Sequence, residues 1–218
     1  MWNRIVTVFA LITLILPTAA HADNDADDSL RIEAGTELYD YSYEEPGIME
    51  NEGTFYGLTG AVTYRKAPCL MMLDGGLAWG QVDYSSPGSG TMDDIDDFRF
   101  EIRASLGREF MLNEVVRITP YAGIVYRYLN DDASYKLTSL GAFGYERESN
   151  YYYSPLGVIV TLEPSRDWTI RLTGEYDLFW SGTQKSHLGY VPGYYDIEND
   201  QDSGYGVRGS VAVTRTGD

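Results

Sequence analysis

His187 is the one histidine beyond the first 22 residues, and it stands next to Ser186 with Lys185 adjacent. Those three types could serve as base, nucleophile and cation in acyl or phosphoryl chemistry. A Ser–His pair works, however, through placement in space with a third group orienting the base, not through adjacency in the chain. A histidine in a polar segment is most often simply hydrated, so we expect no catalytic residue and no enzyme. The chain carries no Gly-rich phosphate loop, no CxxC pair and no HExxH, so neither a cofactor nor a metal is implied. The run Asp93-Asp94-Ile95-Asp96-Asp97 lacks the glycine and terminal glutamate that an EF-hand loop uses to wrap calcium.

A second set of charges recurs with a spacing of two. Between 96 and 109, Arg99, Glu101 and Arg103 alternate with Phe98, Phe100, Ile102, Ala104 and Leu106. Between 167 and 181, Arg171, Glu175 and Asp177 alternate with Ile170, Leu172, Tyr176 and Leu178, and Arg208 interrupts Tyr205, Val207, Val211 and Val213 in the same way. Side chains of a strand point alternately to its two faces, so each stretch makes one apolar and one charged wall. Followed along the chain, the charged parity collects Arg31, Arg65, Arg99, Arg103, Arg117, Arg127, Arg171 and Arg208 with Glu33, Glu37, Asp74, Glu101, Glu175 and Asp177. A soluble β-sandwich would hydrate its polar face and would not need both charge signs on strand after strand. An eight-stranded barrel is just wide enough for its own side chains to fill. Stranding one member of a buried ion pair costs about 3–5 kcal/mol. The expectation is therefore a salt-bridged, closed lumen; proton transfer between carboxylates or an ion path is the alternative use of the same residues.

The elements that must position these residues are eight strands at about 30–43, 53–66, 70–84, 96–109, 117–129, 149–163, 167–181 and 203–215. Their connections alternate: short after the second, fourth and sixth, longer and polar at 44–52, 85–95, 130–148 and 182–202. Short inner turns alternating with longer outer loops characterise transmembrane barrels. Aromatics recur at the loop-side ends (Tyr41, Tyr56, Tyr84, Phe98, Tyr128, Tyr153, Trp180, Tyr205) and more sparsely at the turn-side ends (Tyr64, Phe110, Trp168). Two such belts, ~25 Å apart, would bracket an apolar band, because Tyr and Trp combine an apolar ring with a group that reaches water.

Met1 to Ala22 has one early charge, Arg4, an apolar run from Ile5 to Leu16, and closes on Ala20-His21-Ala22. That is the plan of a cleaved secretory signal. A short acidic leader, 23–29, and a barrel domain, 30–218, would follow. Beyond residue 22 no apolar run approaches the ~20 residues of a membrane helix. The remaining 196 residues hold 15 basic and 33 acidic groups, a formal net charge of −18, which excludes a nucleic-acid partner. Cys69 is alone, so no internal disulfide forms. The excess acid gathers in Glu44-Glu45, Glu50-Asn51-Glu52, Asp131-Asp132 and Glu198-Asn199-Asp200, where contact with a divalent cation or a basic protein is the sharper reading and simple hydration the plainer one. Loop residues Tyr190, Pro192, Gly193, Tyr194 and Tyr195 have a composition that suits protein contact or loop packing.

With its signal, amphipathic strands and alternating connections, the chain resembles the small outer-membrane barrels of the OmpA, OmpX and opacity-protein type over about 30–215. The resemblance implies an antiparallel up-and-down transmembrane barrel in a Gram-negative outer membrane. It also implies contact with lipid and lipopolysaccharide, a monomeric state, and a structural or surface-interaction role, with a narrow porin-like channel or a hydrolase or lipid-modifying enzyme as alternatives. No functional residue carries over, since no omptin-like or lipid A-modifying motif matches. Barrels of this type end on an aromatic, whereas this sequence ends Thr214-Arg215-Thr216-Gly217-Asp218. Ten strands would be expected if a further hairpin followed.

Overall fold

The computed structural model describes residues 6–12, 20–24 and 28–215, with side chains from Asp28 onward. Twelve strands form one antiparallel sheet: β1 (Val6–Ile12), β2 (Ala20–Asn24), β3 (Asp28–Glu45), β4 (Met49–Lys66), β5 (Cys69–Ser86), β6 (Gly90–Arg108), β7 (Phe110–Met111), β8 (Val116–Asp132), β9 (Glu146–Ser165), β10 (Trp168–His187), β11 (Ile197–Gln201) and β12 (Tyr205–Arg215). The eight long strands β3, β4, β5, β6, β8, β9, β10 and β12 are those expected from the alternation. β7 extends the β6–β8 hairpin and β11 lies along the upper part of β10. The sheet rolls up, because Arg208 of β12 and Glu175 of β10 both reach β6 across the interior.

Seven of the eight long strands run past their expected upper ends, while β12 begins at Tyr205, two residues inside its own. The β3–β4 ladder continues to Glu45↔Met49, and β9–β10 to His187↔Glu146. The acid pairs that suggested loops lie in these extensions, which carry a small core of their own: Val82, Met92, Ile95 and Ala133 are buried together with Phe55, Tyr39 and Ala78. At the β3–β4 turn, Pro46-Gly47 closes the hairpin: Ile48 N–H donates to Glu45 C=O at 2.9 Å and Gly47 takes φ +75°, a conformation open to glycine without a Cβ clash.

β1 and β2 pair with the free edge of β3, Val6↔Glu44 to Ile12↔Leu38 and Ala20↔Ile32 to Asn24↔Asp28. The expected leader 23–29 is thus partly in the sheet, since an unpaired strand edge is a template for any chain within reach. The rest of that segment, 25–27, and residues 1–5 and 13–19 of the expected signal lie outside the described residues.

The polarity of the wall is inverted relative to a water-soluble protein. Outward Leu106, Ile124 and Val207 are 64%, 57% and 73% exposed, while inward Arg99, Glu175 and Asp177 are 8%, 6% and 7% exposed. A continuous apolar exterior over a charged interior is stable when hydrocarbon bathes the outside. Outward rings meet around the upper edge of this band: Tyr56–Trp79 at 6.5 Å, Trp79–Phe98 at 5.8 Å, Phe98–Tyr128 at 6.3 Å, Tyr126–Tyr152 at 5.2 Å and Tyr176–Tyr205 at 6.0 Å between centroids. Trp180 is exposed on the same wall. At the lower edge lie Tyr64, which donates to Asp28 at 3.0 Å, Trp168 beneath Arg215, and Phe110 beneath Arg108.

Three aromatics expected in the belt face inward instead: Tyr41, under the Arg99 guanidinium; Tyr84, against the upper core; and Tyr153, 4% exposed. Parity decides this. Tyr41 is an even number of residues from Glu37 and Tyr84 from Asp74, and Tyr153 is two residues from Pro155, which opposes Asp177. Ile102 lies midway between the belt residue Phe98 and the inner-side Leu106 on β6. Replacing it with Arg should cost about 2–4 kcal/mol of folding stability, read as a lower urea midpoint for the barrel refolded in lipid vesicles.

Candidate functional site: the charged lumen

Strand parity delivers the charges to the interior in three tiers. In the middle, Glu101 of β6 is the hub. Its carboxylate accepts from Arg127 Nε at 2.6 Å, Arg208 Nη1 at 2.9 Å, Arg103 Nη1 at 3.4 Å and the Tyr153 hydroxyl at 2.7 Å. Arg103 also bonds Glu175 and sits 3.5 Å from Asp74. Arg208 Nε donates to Asp177 at 2.9 Å, and Tyr121 donates to Glu175 at 2.6 Å. Gly157 leaves the space that the Tyr121 ring occupies. Six strands thus contribute to one knot of charge spanning the lumen, β5 only through Asp74. Charge-assisted bonds of this kind are roughly twice as strong as neutral ones, and the pairing is what makes burial of the groups tolerable.

The upper tier joins charge to rings. Arg99 donates to Asp97 at 3.2 Å while its guanidinium lies 3.6 Å from the Tyr41 centroid and 4.1 Å from that of Phe55. Phe55 stacks on Tyr39 at 5.3 Å. The lower tier holds Arg31–Glu33 at 2.7 Å, Arg65–Glu109 at 2.6 Å, Arg117–Glu109 at 3.1 Å and Arg117–Glu163 at 3.4 Å. A 310 Å³ cavity lies among these residues.

Of the fourteen charged residues expected in the lumen, twelve take part in ion pairs: Arg31, Glu33, Arg65, Asp74, Arg99, Glu101, Arg103, Arg117, Arg127, Glu175, Asp177 and Arg208. Among the described residues the other two do not pair. Glu37 lies over Gly57, its Oε1 2.7 Å from where a Cβ would stand, and is influenced electrostatically by Glu101. Arg171 faces Arg31, Arg117 and Glu33 without an ion pair to any of them. Reasoning from sequence missed Asp97, Glu109 and Glu163, which share the inward parity but stood at strand ends. It gave Tyr121 no role, and it placed Tyr153 in the aromatic belt.

His187 is not a free loop residue. At the top of β10 its Nε2 lies 2.8 Å from Glu148 and its Nδ1 3.7 Å from Asp196. Glu148 also accepts from Tyr128 at 2.6 Å. This cluster sits above the aromatic belt, where the hydrogen bonds from Tyr128 and then His187 hold the Glu148 carboxyl below its ordinary range. Farther up, repulsion from Glu52 raises Glu50. Glu146, Glu148 and His187 offer ligand atoms within 4.8 Å of one another. Ser186 alternates to the opposite face of the strand and is buried, so no Ser–His dyad forms.

A rolled antiparallel sheet with a lipid-facing apolar wall and an ion-paired interior defines a transmembrane β-barrel of the outer membrane. Residues 48–214 match the family model of the autotransporter β-domain. The match spans most of the chain, which belongs to that family, an outer-membrane domain of Gram-negative bacteria. The barrel architecture implied by the OmpA, OmpX and opacity-protein resemblance stands, while the family that matches is a different one. No curated protein matches the sequence. Substituting Arg103 by Ala leaves Asp74 without its ion pair and takes one guanidinium each from Glu175 and Glu101, which keep Arg208, and should cost about 3–5 kcal/mol. A double Arg103→Met, Glu175→Leu change should recover part of that loss in the same thermal melt of the detergent-folded barrel.

Proposed function

We propose that this chain is a closed, non-conducting outer-membrane barrel that acts through its surface hairpins and not through turnover. The observation that carries this reading is the Glu101 knot, in which Arg103, Arg127, Arg208, Glu175, Asp177 and Tyr153 cross the lumen from five strands. The upper core adds an apolar stopper above it. In this it is like the small closed barrels of the OmpA and OmpX type. Export under a signal ending at Ala22 agrees with the reading. Removal of residues 1–22 would free the β3 edge from Leu30 upward, where β1 and the first three residues of β2 lie, and leave it for β12.

The working surface is then the acidic upper hairpins, with Glu44, Glu45, Glu50, Glu52, Asp93, Asp94 and Asp132 above the belt. Lipopolysaccharide surrounds the wall, and divalent cations or a basic protein are the partners that this charge favours. We read the protein as a monomer without cofactor. His187, held by Glu148 and Asp196, serves hairpin structure in this account, so replacing it by Ala should leave lipid and peptide turnover unchanged. Planar-bilayer recording tests the closed lumen. The purified chain should give no discrete conductance, and Glu101→Ala with Arg208→Ala should open measurable steps. Steady conductance of the unaltered chain would favour the narrow-channel alternative.

A further inference from the structure

The lower tier of the lumen is built differently from the knot above it. The cavity there is walled by Arg31, Arg65, Arg117 and Arg171 together with hydroxyls such as Thr161 and Thr169. Among the described residues, three carboxylates serve those four guanidiniums. Glu33 takes Arg31, Glu109 takes both Arg65 and Arg117, and Glu163 takes the second face of Arg117. Arg171 faces Arg31 and Arg117, with Glu33 the one carboxylate that acts on it, and makes no ion pair among the described residues. Among the described residues, Arg31 Nε is buried with no hydrogen-bond partner. An interior cation against like charges is costly unless an anion joins it. In the knot the balance is opposite, four carboxylates to three guanidiniums, so the surplus positive charge is local to the cavity.

We propose that this cavity binds a small soluble phosphate-type oxyanion, with Arg171 as its principal ligand and Arg31 beside it. A guanidinium presents parallel N–H groups that match two oxygens of a phosphate, and threonine hydroxyls supply neutral donors for the others. The 310 Å³ volume is at the small end of ligand sites, roughly 300–1,000 Å³, enough for the anion and some water. The site lies at the turn-side end of the interior, bordered by Ser29, Glu109 and Thr169, and the sheet separates it from hydrocarbon. Its ligand is therefore a solute and not a bilayer lipid. The knot above closes the other end, so the anion enters and leaves on the periplasmic side.

The test uses the full chain folded in detergent, titrated with inorganic phosphate against chloride at equal ionic strength, with phosphorus NMR and thermal melting as readouts. Phosphate should bind and raise the melting temperature. Arg171→Gln should weaken binding by about tenfold or more, while Arg166→Gln on the exposed β9–β10 turn should leave it unchanged. The unaltered chain decides the matter by itself should Arg171→Gln fail to fold. Stabilisation by chloride equal to that by phosphate, unchanged phosphate affinity in Arg171→Gln, or binding of a short-chain phosphatidate in place of inorganic phosphate would each overturn the proposal. None of these outcomes depends on whether the lumen conducts.

Discussion

The rest of this structure depends on keeping ionised groups inside a wall whose outside is hydrocarbon. Glu101 shows how that is done. One carboxylate takes hydrogen bonds from three guanidiniums and a phenol; each guanidinium is shared with another acceptor, and the phenol oxygen accepts from two of them. No single strand could hold such a group. β6 supplies Glu101 and Arg103, β8 supplies Arg127, β9 Tyr153, β10 Glu175 and Asp177, and β12 Arg208. The network therefore fixes the circumference of the roll as well as its electrostatics. A slip of one residue in any ladder would send a charge into lipid and a leucine into the knot.

Much of this was legible in the sequence, for a physical reason. Strand periodicity is two, so the charged residues of the 96–109 and 167–181 stretches had to share a wall, and twelve of fourteen lumen residues pair as a result. Rings are less informative. Tyr41 and Tyr153 look like belt residues by position along the strand, yet parity sends them inward, where Tyr41 carries Arg99 and Tyr153 bridges Glu101 to Arg127 and Arg208. The upper hairpins were hidden because acidic runs such as Glu50-Asn51-Glu52 resemble loops. In the structure the outward acids are hydrated, while Val82, Met92 and Ile95 close a small core behind them. Glu109 and Glu163 needed the register of the inner turns, which periodicity does not supply. The family match to the autotransporter β-domain agrees with the membrane-spanning architecture.

The interior is graded along its axis. Rings and aliphatics fill the upper part, balanced charge the middle, and excess arginine the lower part. Such a grading concentrates negative potential on the exposed hairpins and positive potential at the opposite mouth. A barrel with this arrangement presents different chemistry to the two sides of the membrane. His187, Glu146 and Glu148 belong to the outer side and lie above the belt, apart from the lumen.

The central claim is that one face of each strand meets lipid and the other meets the charge knot. Spin labels placed singly along β10 from Ile170 to Leu178, in a Cys69→Ser background and in vesicles, measure it most directly by collision with oxygen. High collision rates at 170, 172, 176 and 178, alternating with low rates at 171, 173, 175 and 177, are the result this account predicts. Uniform rates, or alternation of the opposite phase, would contradict it.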